Sequence, residues 1–127
     1  MKCLVDTCGW IEWLTEGKLA QSFEPYLKDP EKLIVPSIVQ YELYRWLYRT
    51  HGEVKACEVI AVTEQGHVVP LDTSVALSAA SVSSEFKLAM ADAIVFATAL
   101  KHQVSVVTCD AHFQSLPHVK YLKKSLS

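Results

Sequence analysis

The chain has 127 residues, half of them hydrophobic, with 12 basic and 14 acidic side chains and a formal net charge of −2. That length fits one domain, residues 1–127. The apolar share excludes a disordered chain, and the charge balance excludes nucleic-acid binding through a broad basic face. So apolar a chain also has more greasy surface than a lone monomer needs, so a protein partner is expected. The opening Met1-Lys2-Cys3 is charged too early for a secretory signal, and no run approaches the ~18 apolar residues of a membrane span. A soluble, cytoplasmic protein is therefore expected. Cys3, Cys8, Cys57 and Cys109 show no C-x-x-C spacing and read as free, buried thiols in a reducing compartment.

In chain order, strand and helix signals alternate. Cys3 to Val5 is a short apolar strand. Trp10, Ile11 and Leu14 give helical spacing over about Thr7 to Leu14, with Gly17 as a stop. A second helix fits Leu19 to Leu27, and Asp29-Pro30 marks a turn. Leu33 to Val35 is the second strand. Ser37 is placed to cap a long helix from Ile38 to about Thr50. Gly52 separates it from a helix over Val54 to Gln65, which Gly66 ends. Val68-Val69 is a third strand. Asp72-Thr73 opens a helix reaching Phe86, and another runs from about Ala89 to His102. Val104 to Thr108 is the fourth strand, His112 to Ser115 one helical turn, and Val119 to Leu122 an edge strand.

Short apolar strands separated by helices predict a mainly parallel sheet of four to five strands covered on both faces. Such sheets bind ligands beyond the carboxyl ends of their strands. Four acidic residues stand against that frame: Asp6 after the first strand, Glu42 inside the third helix, Asp92 near the start of the 89–102 helix, and Asp110 after the fourth strand. Each has a bland reading. Asp6 can be a helix cap, Glu42 a solvated residue, Asp92 a first-turn cap and Asp110 the start of an Asx turn. Asp92 carries most weight, because its helix is apolar nearly all round and a buried carboxylate is costly. Together, the four are expected to converge on one sheet edge. Carboxylates so gathered repel one another unless one keeps a proton or a cation neutralises them. Mg²⁺ or Mn²⁺ suits oxygen donors of this kind.

The segments Val5-Asp6-Thr7, Ser37 to Glu42-Leu43, Ala91-Asp92-Ala93 and Val107-Thr108-Cys109-Asp110-Ala111-His112-Phe113, in this order, resemble PIN-domain ribonucleases. The compact chain is similar to the VapC-type toxins within them. The resemblance spans residue 3 to about 122. It implies a three-layer α/β/α PIN-like domain and Mg²⁺- or Mn²⁺-dependent endonucleolytic cleavage of RNA by metal-activated water. Asp6, Glu42 and Asp92 match the family's three acidic positions and Asp110 the more variable fourth. Asp6, Asp92 and Asp110 would ligate metal; Glu42 would bind a second ion or orient water. Thr7 and Thr108 match supporting hydroxyl positions. The resemblance also implies a homodimer and a cognate antitoxin protein that reaches the acidic site. One departure is the stretch Lys87 to Ala91, which lacks the Pro or Gly often found before the Asp92 helix.

Alternatives remain within and beside this reading: a housekeeping RNA-processing nuclease, or a PIN-like binding module without catalysis. Two acid-based phosphoryl-transfer folds fit less well. One needs an acid where Cys8 stands, and the other a paired acid near the first strand and a lysine after a late one. Arg45 and Arg49 lie three and seven residues beyond Glu42, in reach of RNA phosphate or an antitoxin carboxylate. Tyr41, Tyr44 and Tyr48 form a helical stripe that reads first as core, next as a protein interface and third as a stacking surface for bases. A groove for an amphipathic antitoxin segment along these helices is the preferred functional use. His112 reads as a surface loop residue, and Lys120, Lys123 and Lys124 as a solvated tail.

Overall fold

The structure, a computed structural model, describes residues 2–124. Its strands are β1 (Cys3–Val5), β2 (Ile34–Pro36), β3 (His67–Val69), β4 (Ser105–Thr108) and β5 (Val119–Tyr121). Its helices are α1 (Thr7–Leu14), α2 (Ala20–Leu27), α3 (Ser37–His51), α4 (Glu53–Thr63), α5 (Thr73–Phe86) and α6 (Met90–His102). Short 3₁₀ turns occupy Pro30–Lys32 and Ala111–Phe113.

Every strand pairing is parallel: β1 with β4, β4 with β5, and β2 with β3. The two ladders meet where Cys3 bridges Leu33, which gives the order β3-β2-β1-β4-β5. Neighbouring residues on a strand point to opposite faces. In β1, β2 and β4 both kinds are buried: Leu4 and Val5, Ile34 and Val35, Val106 and Val107. Helices therefore cover both faces, as a three-layer α/β/α arrangement requires. The chain steps from β1 out to β3 on one side, then returns through α5 and α6 to β4 on the other. The switch in direction falls between β1 and β4, and open parallel sheets place their ligand sites there, beyond the carboxyl ends of the strands.

Local chemistry explains most element ends. Asp6 caps α1 and Asp72 caps α5, where its carboxylate accepts from Val75 N at 2.9 Å. One expectation fails. Ser37 is not a cap but the first helical residue of α3; Pro36 precedes it in extended backbone, and no side chain caps this end. Lys87 ends α5 in the left-handed region (φ 60°). A glycine would be unstrained there, so the missing Gly before α6 has a local conformational cost. The first turn of α6 instead follows Leu88, whose carbonyl accepts from Ser83 Oγ at 2.7 Å.

The aromatic stripe on α3 does not enter the core. Val39, Leu43 and Leu47 take the inward face, leaving Tyr41 60% and Tyr48 53% exposed. Trp10, by contrast, is 1% exposed. Cys57 is also exposed, so one of the four thiols expected inside is outside.

Gly9 fixes how closely α1 approaches its neighbours. A Cβ there would sit 2.5 Å from Phe23 Cε1 and 2.7 Å from Val5 Cγ1, both on fully packed side chains. Gly9→Ala is therefore expected to cost about 1–3 kcal/mol by overpacking. A denaturant midpoint unchanged from the parent chain, at equal slope, would show that α1 can move away freely.

Candidate active site

Asp6 extends β1 by one residue, its N–H donating to Val107 O at 3.0 Å. That pairing sets Asp6 beside the end of β4. Thr108 Oγ1 donates to Asp6 Oδ2 at 3.0 Å and accepts from Asp110 N at 2.9 Å. One hydroxyl, 102 residues along the chain from Asp6, thus ties the first acid to the fourth. The other Asp6 oxygen accepts from Thr7 N at 2.9 Å. Thr7 Oγ1 in turn donates to Glu42 Oε1 at 2.7 Å, which fixes α3 against the start of α1.

Asp92 sits in the first turn of α6 and caps nothing; Ala89 is the capping residue. Its carboxylate meets His112, whose Nδ1 lies 3.2 Å from Asp92 Oδ2 and 3.2 Å from Asp110 Oδ1. Asp110 opens the 3₁₀ turn, with Oδ1 accepting from His112 N at 2.9 Å. Ligand atoms of Asp92, Asp110 and His112 all fall within 4.8 Å of one another. Asp6 stands deeper, 5% exposed, and outside that tight trio.

The electrostatics agree with a crowded acidic site. Burial raises Asp6 well above its ordinary 3.8, aided by Cys8 and Glu42 and opposed by the Thr7 and Thr108 hydrogen bonds. Burial also raises Glu42, with the charges of Asp92 and Asp110 adding to it against the Thr7 hydrogen bond. Asp92 is raised by burial and then by Asp110, while His112 acts against both. These interactions link all four acids into one electrostatic unit.

The bland readings are partly true as well. Asp6 is a helix cap and Asp110 does form an Asx turn. Neither role uses the whole carboxylate, and Asp92 has no such role. Sequence reasoning passed over two features. His112 is a loop residue, yet its ring turns back onto two acids; the D-x-H spacing across an Asx turn is the signal. Cys8 Sγ accepts from Cys109 N at 3.2 Å and touches Thr108 Oγ1 at 3.3 Å. Contact with the Cys109 thiol, then burial, pushes the Cys8 thiol up. Arg45 and Arg49 are exposed and, among the described residues, join no ion pair. The C-terminal lysines are less free than expected: Lys124 pairs with Glu12 at 3.5 Å and Lys120 lies over the Tyr26 ring.

Thr108→Val removes a hydroxyl with two committed partners and keeps the volume. Asp6 Oδ2 and Asp110 N then lose their bonds in a buried place. A loss of about 1–3 kcal/mol in unfolding free energy is expected. An unchanged urea midpoint would mean that water replaces the hydroxyl.

A parallel sheet with acids gathered at its switch point defines a class of acid-lined α/β/α domains. Residues 3–119 match the family model described as PIN domain, and the chain belongs to that family. Its fold is close to those of several solved structures. A toxin–antitoxin complex from Klebsiella pneumoniae contains a chain with TM-score 0.77 and 23% identity, covering 93% of this chain and 95% of that one. VapC20 from Mycobacterium tuberculosis, described as a sarcin–ricin loop cleaving toxin, gives TM-score 0.76 at 17% identity, over 97% and 100%. DNA-bound VapBC from Salmonella typhimurium gives 0.73 at 16% identity, over 97% and 98%. No curated protein matches the chain by sequence. Among the described residues, no helix is long and apolar enough to cross a membrane.

Proposed function

We propose that the chain is a divalent-metal-dependent endoribonuclease and the toxin of a VapBC-type toxin–antitoxin pair. The observation that carries this reading is the gathering of Asp6, Glu42, Asp92 and Asp110 beyond the carboxyl ends of β1 and β4. Membership of the PIN family and the fold shared with VapC toxins support it.

The donor set fits Mg²⁺ or Mn²⁺. It is carboxylate-rich; burial, then neighbouring negative charge, raises Asp6, Glu42 and Asp92, and among the described residues no arginine or lysine pairs with them. Asp92 and Asp110, with Asp6 behind them, would hold the ion. When bound, the ion lowers the pKa of water and offsets negative charge that builds on a phosphoryl group. The protein supplies the positioning. Thr108 keeps Asp6 and Asp110 in register, and Thr7 holds Glu42 beside Asp6, where it would orient the attacking water by accepting a hydrogen bond from it.

Partner surfaces extend from the site. A groove of about 380 Å³ runs along α3, lined by Ser37, Gln40, Tyr41, Tyr44, Arg45 and Ile60. Its exposed tyrosines and the nearby Arg49 suit an amphipathic antitoxin segment bearing a carboxylate. A second, apolar groove of about 290 Å³ lies between α5 and α6, rimmed by the exposed Leu71 and Met90. We assign it to the partner subunit of a homodimer. Sedimentation showing only monomer at every concentration would remove that assignment.

Purified protein should cleave RNA with Mg²⁺ or Mn²⁺, and EDTA should abolish cleavage. Induced in bacteria, it should arrest growth, with rescue by co-expression of its cognate antitoxin. Cleavage without growth arrest would favour a housekeeping nuclease. Failure with every RNA and both ions would favour a binding module.

A further inference from the structure

We infer that His112 contributes a nitrogen donor to the cation site of Asp92 and Asp110, so that this chain prefers Mn²⁺ and Co²⁺ to Mg²⁺. The inference rests on the metal reading above and specifies the donor set of that same site. In an octahedral shell with bonds of about 2.1 Å, neighbouring donors stand about 3.0 Å apart. His112 Nδ1 is 3.2 Å from one oxygen of each acid, close to that edge length on both sides. One ion can therefore touch all three atoms after shifts of a few tenths of an ångström.

The ring is carried there by the backbone. Asp110 Oδ1 holds His112 N at 2.9 Å, and Phe113, next in the turn, is fully buried. The imidazole thus stays over the acids although its side chain is 73% exposed. That open side leaves the other coordination positions to water and substrate. Chemically, an imidazole in place of an oxygen donor matters. Mg²⁺ prefers oxygen and holds its waters, whereas affinity for a mixed nitrogen and oxygen site climbs from Mn²⁺ to Co²⁺. A neutral ring also adds a donor without adding a third negative charge to the trio.

The same contacts have a competing explanation. A protonated His112 would act as a counter-ion that an arriving metal must displace. The two uses differ in sign: removing a ligand weakens metal binding, and removing a competitor strengthens it.

The test is calorimetric titration of Mg²⁺, Mn²⁺ and Co²⁺ into the full chain and into its His112→Ala and Asp92→Asn variants. His112→Ala should weaken Mn²⁺ and Co²⁺ by about tenfold or more and Mg²⁺ by less than about threefold. Pulsed EPR of the Mn²⁺ complex should show nitrogen coupling that His112→Ala removes. Unchanged or tighter Mn²⁺ binding in His112→Ala, or nitrogen coupling that persists there, overturns the inference. Asp92→Asn reports separately on the parent reading. It should lose all three ions, and retention of them would overturn the metal site itself.

Discussion

Replacing Asp92 by asparagine is expected to lower metal-dependent RNA cleavage by on the order of 10²–10³-fold while leaving the fold intact. Asparagine keeps the shape and one carbonyl oxygen but removes the charge. At most acidic positions such a swap confuses structure with function. Asp92 avoids this, because it caps no helix and, among the described residues, its only side-chain partner is His112. The backbone of α6 is anchored by its neighbours, since Ala93 to Ala99 are all buried. Unfolding free energy should change by no more than about 1 kcal/mol, the range of a lost first-turn charge on a helix. Cleavage retained within a few-fold would remove Asp92 from the catalytic group. A collapse of the thermal transition would give it a structural role instead. Asp6→Asn is a less clean probe, because Thr7 N and Thr108 Oγ1 both donate to that carboxylate.

The second large effect is a linkage between pH, metal and stability. Asp6, Glu42 and Asp92 titrate higher in the folded protein than in the unfolded chain. Between the ordinary and the raised values the folded state holds more protons. Stability of the metal-free protein therefore falls as pH rises through that window and stays low above it. A bound divalent ion compensates the ionised carboxylates, so its stabilisation should be larger at a pH above the raised values than at one close to the ordinary carboxylate range. At a hundredfold excess over its dissociation constant, an ion adds about 2.7 kcal/mol. For a domain of this size that is a rise in Tm of roughly 8 °C or more. Two other groups bear on the sign. Asp72, lowered mainly by Val75 N, loses its contribution only below 3.8, outside the window. His102, lowered by burial and nearby cations, opposes the trend up to 6.5. Asp6→Asn separates them, since it should flatten the carboxylate part of the profile and keep the histidine part. Equal metal stabilisation at both pH values, measured by calorimetry, would contradict the linkage.

How far the residues alone reveal this can be seen element by element. The strand and helix alternation is legible because β1 and β2 are short apolar runs and β4 carries Val106 and Val107 at its centre, as parallel strands buried on both faces must. Asp6 and Asp110 are legible as strand-end residues, and Asp92 stands out because α6 is apolar on every side. The facing of α3 is not legible. It carries two stripes at helical spacing, Val39-Leu43-Leu47 and Tyr41-Tyr44-Tyr48, and only packing against the sheet decides which turns inward. The Ser37 cap fails for a local reason, since the extended Pro36 already begins the helix without a side-chain bond. His112 is hidden because loops have no periodicity; its orientation comes from an Asx turn and the anchored Phe113. The Thr108 bridge depends on the register of β1 against β4, which no local pattern specifies.

That register has a consequence for the chain while it is being made. β1 has its ladder partner in β4, about a hundred residues later, and Asp6 acquires its Thr108 bond only when that strand arrives. Pairings of such long separation form late and slowly. A nascent chain that stops before Asp110 lacks the fourth acid and His112, and has no paired β4 to bring Thr108 to Asp6. Nuclease activity should thus be confined to completed molecules.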